Sequence, residues 1–101
     1  THLRRLGYHI VDRNWRSGER EVAGELDIVA EHGDTVVFCE VKARRSTGFG
    51  GAAAAVGEAK QQRIRELAAS WLRARDGDGR PVRFDVITIE GVELQHHRSA
   101  F

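Results

Sequence analysis

The sequence predicts an α/β domain built on a mixed β-sheet, and three observations carry this. Three β-rich runs follow one another in the first 43 residues, separated by Gly-containing, charged turns. One amphipathic helix follows, its apolar residues at helical spacing. Beyond a Gly/Pro break comes a further β-rich run, so the helix serves as a crossover between strands.

Taken in order, His2 to Leu6 reads as the end of a helix, with Gly7 placed to cap it. Tyr8 to Asn14 alternates as a strand, with Tyr8, Ile10 and Asp12 on one face and His9, Val11 and Arg13 on the other. Trp15 to Val22 is charged, contains Gly18 and reads as a hairpin loop. Glu25 to Glu31 is the next strand, and His32-Gly33-Asp34 is a tight turn into Thr35 to Ala43. That third strand is apolar on both faces up to Phe38, which predicts a central position. The first three strands are expected to form an antiparallel meander.

Ser46 to Gly57 is rich in Gly and Ala and reads as a loop whose later alanines join a helix. Ile64, Leu67, Ala68, Trp71 and Leu72 then make one apolar stripe. The run from Asp76 to Pro81 stops the helix. Val82 to Glu90 is a strand expected to pair in parallel with the third, Val92 to His96 is a short last strand, and His97 to Phe101 is expected to fray.

At 101 residues the chain is sized for one domain with one real core. Its first residue, Thr1, falls partway into the opening helix, so a single domain over 1–101 lacking the start of that helix is expected. No apolar run approaches the roughly 20 residues needed to span a bilayer, so no membrane partner is expected. No signal-peptide pattern is visible, and the single cysteine, Cys39, cannot form an internal disulfide; a cytoplasmic setting is the default. The net charge of +1 is uninformative, but its distribution is not. Acids crowd the first third, while Arg44, Arg45, Lys60, Arg63, Arg65, Arg73 and Arg75 follow. A basic second half suits a polyanion, although a solvated helix face gives the same pattern.

The chemistry lies on two strands. Glu40 and Lys42 share a face of the third strand, and Asp27 lies on the strand joined to it by the short hairpin. Charges on central strands are costly to desolvate unless matched to one another or to a cation. Two carboxylates are enough for Mg²⁺, which prefers oxygen ligands and keeps several waters, and the Val41 carbonyl is a natural third ligand. Lys42 is placed to orient or help deprotonate an attacking water and to offset charge on a pentacovalent phosphorus. The bland reading of the same residues is a structural ion-pair network.

Asp27 followed by Glu40-Val41-Lys42 resembles the metal-binding core of the PD-(D/E)xK, restriction-endonuclease-like superfamily. The resemblance is closest to the YraN family of bacterial predicted endonucleases, distantly similar to archaeal Holliday-junction resolvases. It rests on an ordered set: Leu6-Gly7-Tyr8, Arg13-Asn14-Trp15-Arg16, Gly24-Glu25-Leu26-Asp27, Val37 to Arg44, Phe49-Gly50, Lys60 and Arg83-Phe84-Asp85-Val86. It implies a three-layer fold with a central mixed sheet flanked by helices. It further implies a Mg²⁺- or Mn²⁺-dependent endonuclease acting on DNA, including branched DNA. Asp27 and Glu40 become metal ligands, Lys42 the catalytic lysine and Glu25 an accessory acid. The family pattern places a further glutamate, in a Gly-Glu pair, on an N-terminal helix that this sequence enters partway, so that role falls to no residue here. The dimeric resolvases suggest a homodimer. A second reading is a nucleic-acid- or protein-binding module that keeps the fold and does not cut.

Around that core, Lys60 and Arg63 near the start of the long helix suit phosphate binding. Arg44 and Arg45 suit it too, but read equally well as a polar loop. Cys39 faces away from Glu40 and reads as core, as does Trp71. Trp15, beside Arg13 and Arg16, suits a core or dimer contact or stacking on a base. Asp85 reads as structural, and His96-His97 as a tail without a role.

Overall fold

The computed structural model describes residues 2–43, 56–75 and 79–101. Helix α1 (His2–Arg5) leads into β1 (His9–Trp15), β2 (Leu26–His32) and β3 (Thr35–Ala43). Helix α2 (Glu58–Ala74) follows, then β4 (Val82–Glu90) and β5 (Glu93–His97). The five strands form one sheet in the order β1-β2-β3-β4-β5. β1, β2 and β3 are an antiparallel meander, β3 and β4 run parallel across the α2 crossover, and β5 returns antiparallel to β4. The predicted α/β class, the meander and the parallel pairing are all present. β3 is central, and every residue from Val36 to Glu40 is buried. Most of the Gly/Ala-rich segment, including Phe49-Gly50, lies outside the described residues.

The sheet carries apolar side chains on both faces, so each needs a cover. On one face, Leu26, Val29, Val36, Phe38 and Val86 pack with Val56 and with Ile64, Leu67, Ala68 and Trp71 of the α2 stripe. Phe38 meets Trp71 edge-on, ring centroids 5.7 Å apart. Each such side chain taken from water contributes about 1.5–3 kcal/mol, which makes α2 the main anchor of the domain. On the other face, Leu3 of α1 and Tyr8 pack with Ala30, Val37, Cys39 and Ile87. Two glycines are required by these arrangements. Gly7, at φ +85°, turns the chain out of α1. Gly24, at φ +100°, lies so close to α2 that a Cβ would sit 3.1 Å from Arg63 Cδ.

Two local expectations are corrected. Strand β1 contains a bulge: Ile10 pairs with Ala30 and Asp12 with Val29, leaving Val11 over. Alternation therefore breaks, and Val11 and Asp12 both address the α2 layer. Val11 packs against the helix-side core, and the Asp12 carboxylate accepts the Trp71 indole N–H at 2.8 Å. Asp12 does not share a face with Ile10. The tail beyond His97 is also docked rather than frayed. Ala100 N–H donates to the Phe84 carbonyl at 2.8 Å, and Phe101 stacks on Phe84 at 5.2 Å. The Arg65 guanidinium lies over the Phe101 ring.

Beneath α1, the fully buried Asp85 is held by a set of donors. Arg83 grips both its oxygens at 2.8 and 2.9 Å, Ser99 N–H donates at 3.1 Å, and His96 Nε2 lies 2.8 Å away. Burial raises the Asp85 carboxyl, but bonds from Arg83, His96 and Ser99 outweigh it and hold the group below its ordinary range. The structural reading of Asp85 stands. His96 is part of this network and reaches His2 at 3.1 Å, so it is not a residue without a role. Among the described residues, no helix is long and apolar enough to cross a membrane.

Candidate metal centre

Backbone pairing between β2 and β3 ends at Ile28 and Cys39. At the next position the Val41 N–H turns to a side chain, donating to Asp27 Oδ2 at 2.9 Å. The sheet thus opens at the C-terminal end of β3, and the Asp27 carboxylate is pinned to the backbone between Glu40 and Lys42. Glu40 projects on the α2 face beside it. These residues line an open pocket of about 410 Å³ together with Val41, Lys42, Val56, Gly57 and Lys60. The side-by-side carboxylates expected from strand alternation are in place.

The two acids differ in setting. Glu40 is buried, and its carboxyl is pushed up to about 7. Desolvation is the main cause, the Asp27 charge and a hydrogen bond with Asp27 add to it, and Lys60 opposes it. Lys60 Nζ lies 3.3 Å from Glu40 Oε1. Lys42 follows Glu40 on the same strand face and is exposed at the pocket rim.

The donor set fits a hard cation. It offers carboxylate oxygens, one of them on a buried side chain that already has an ammonium against it, and the Val41 backbone beside them. Among the described residues no three His, Cys, Asp or Glu side chains gather as zinc requires. Mg²⁺ and Mn²⁺ need fewer protein ligands, because water and substrate phosphate complete the shell.

Not every candidate joins the pocket. Glu25 precedes β2 and pairs with Arg16 at 3.1 Å. Arg63 is exposed one turn beyond Lys60, its stem packed against Gly24. Arg44 and Arg45 lie outside the described residues. Cys39 is buried on the opposite face, its thiol pushed up to about 12, first by burial and then by Asp85, Asp27 and Glu40. Trp15 packs against the helix-side core, as the core reading expects. His97 faces α2 and approaches Thr88 Oγ1 at 3.4 Å, next to Lys42 in the β3–β4 register.

Sequence reasoning assigned Lys60 to phosphate and missed its pairing with Glu40. The signal was topological. A helix crossing between parallel strands begins over the C-terminal end of the first strand, which here carries Glu40. Val56 and Gly57 reach the pocket for the same reason.

A family model described as uncharacterised protein family UPF0102 matches residues 1–89. The chain is 46% identical to a UPF0102 protein of Frankia casuarinae, over 99% of this chain and 86% of that protein. It is likewise 46% identical to one of Rhodococcus jostii, with the same coverage. A Streptomyces griseus relative, also described as a UPF0102 protein, is 48% identical over 86% of this chain and 71% of its own length.

Proposed function

We propose that this chain, which belongs to the UPF0102 (YraN) family, is a Mg²⁺- or Mn²⁺-dependent endonuclease hydrolysing phosphodiester bonds in DNA. The observation that carries the reading is the convergence of Asp27, Glu40, Lys42 and Lys60 on one open pocket at the end of β3.

Asp27 and Glu40, with the Val41 carbonyl, are the groups that would hold the cation. Such an ion lowers the pKa of a bound water and stabilises charge on phosphoryl oxygens. The chain's own residues do the rest. The Val41 N–H bond to Asp27 fixes one carboxylate before substrate arrives, so little reorganisation is left for the reaction itself. Burial of Glu40 against Asp27 concentrates negative charge where a cation is wanted. Lys42 reaches from the rim as a mobile point charge, suited to orienting the attacking water and meeting a phosphoryl oxygen. The pocket is open enough for a backbone phosphate to approach from solvent. Branched DNA is the first substrate to try, on fold analogy with the resolvases alone. A homodimer would suit symmetric cutting of such a junction.

The test is a cleavage assay on four-way junction, flap, linear duplex and single-stranded DNA, with Mg²⁺, Mn²⁺ or chelator. Lys42→Ala purified identically is the control. Cation-dependent cutting lost in Lys42→Ala is the expected result. Absence of cutting, or cutting that survives the substitution, would favour a binding module on a nuclease fold.

A further inference from the structure

We propose that Lys60 is a built-in counter-cation that guards the metal centre: its ammonium partly offsets the Glu40 charge in the cation-free protein and must be displaced for a divalent ion to enter. This rests on the reading of Asp27 and Glu40 as cation ligands.

Two carboxylates brought together with one of them desolvated are unstable as a doubly negative pair, so once both are ionised a positive group is drawn to them. Two lysines line the pocket, and only one does this. Lys60 Nζ is 3.3 Å from Glu40 Oε1. Lys42 stands on the same strand face as Glu40, yet is exposed, and among the described residues it pairs with neither carboxylate.

The pairing is lopsided. The Glu40 side chain is 8% exposed and that of Lys60 49%, so the acid is fixed and the base is free to leave. Lys60 also sits near the start of α2, on a residue that is not part of the apolar stripe. Its ammonium can swing into solvent without disturbing the Ile64–Leu67–Trp71 packing.

A divalent ion and the Lys60 ammonium would compete for the same Glu40 oxygen. Holding both there sets like charges within ion-pair distance, so occupancy by one weakens the other. Lys60 therefore lowers cation affinity in the free protein, and on displacement it becomes an unpaired cation at the pocket mouth, where substrate phosphate enters. Loading the site and readying it for a polyanion become one event.

The test is calorimetric titration of the whole chain with Mn²⁺ alone at pH 8.5, where protons no longer compete for Glu40, without nucleic acid, for wild type, Lys60→Gln and Arg63→Gln. Arg63→Gln removes one exposed positive charge one turn along the same helix and controls for net charge. Removing a competing ion pair at the upper end of ordinary strength should tighten Mn²⁺ binding by about 3- to 5-fold in Lys60→Gln, and by less than about 2-fold in Arg63→Gln. Mn²⁺ binding to wild type with no greater gain in Lys60→Gln than in Arg63→Gln would overturn the role of Lys60 and leave the metal centre standing. No Mn²⁺ binding by any of the three would overturn both. Lys60 is half-exposed, and a cooperative melting transition in chelator, lowered by loss of the Glu40 pair, confirms that the variant is folded.

Discussion

Glu40 makes the cation-free protein pay a pH-dependent penalty, and replacing it should remove that penalty. Its carboxyl is raised from 4.5 to about 7. The folded state therefore holds a proton that the unfolded chain has released. The associated stability is fully present below about pH 4.5 and is lost as pH rises through 7. Between pH 5 and pH 8.5 the loss integrates to on the order of 2.5 kcal/mol, which for a domain of this size is about 10 °C or more in Tm. Glu40→Gln keeps the shape and cannot titrate. Urea unfolding in chelator, followed by the fluorescence of Trp15 and Trp71, should show wild type weakening relative to the variant as pH rises, with Glu40→Gln the more stable protein at pH 8.5. Two results would refute the reasoning: parallel pH profiles for the two proteins, or a Glu40→Gln variant less stable at pH 8.5. Either would mean that Glu40 is solvated or fully compensated by Lys60.

Other perturbations bear on the scaffold. Asp85→Asn leaves Arg83 without its buried anion and should cost about 3–5 kcal/mol by denaturant unfolding. Because the Asp85 carboxyl is held below its ordinary range, its contribution is present above about pH 4 and lost as pH falls further, so the variant should also show a flatter acid limb. Phe101→Ala should lower stability by about 1 kcal/mol or more, through loss of stacking on Phe84 and of the Arg65 contact. A frayed tail would show no change.

What was legible in the sequence was local. The hydrophobicity of Val36 to Phe38, the α2 stripe and the Gly33 turn each express a periodicity within one element, and together they fix strand order and the α2 crossover. Alternation on β3 placed Glu40 and Lys42 together, and the short hairpin brought Asp27 alongside, because strand geometry leaves little freedom. The remainder depended on contacts between distant segments. The bulge at Val11 follows from the Asp12–Trp71 bond and the pairing of β1 with β2, and a lone Asp in an alternating run does not announce it. Asp85 draws Tyr8, His96 and Ser99 to its strand neighbour Arg83, and His96 reaches it only through the pairing of β5 with β4. Phe101 could be read as docked only once Phe84 was known to present a ring to it. The Lys60–Glu40 pair crosses from strand to helix, and only the handover between β3 and α2 hinted at it.

The most direct test of the metal centre is a ¹H–¹⁵N correlation spectrum of the intact chain with substoichiometric Mn²⁺, whose paramagnetism broadens nearby amides. A cation held by Asp27 and Glu40 predicts selective loss of signals from Asp27 and Ile28, from Glu40 to Lys42 and from Gly57 to Lys60, and recovery of those signals in Asp27→Asn. Broadening centred elsewhere, or none at all, would contradict it.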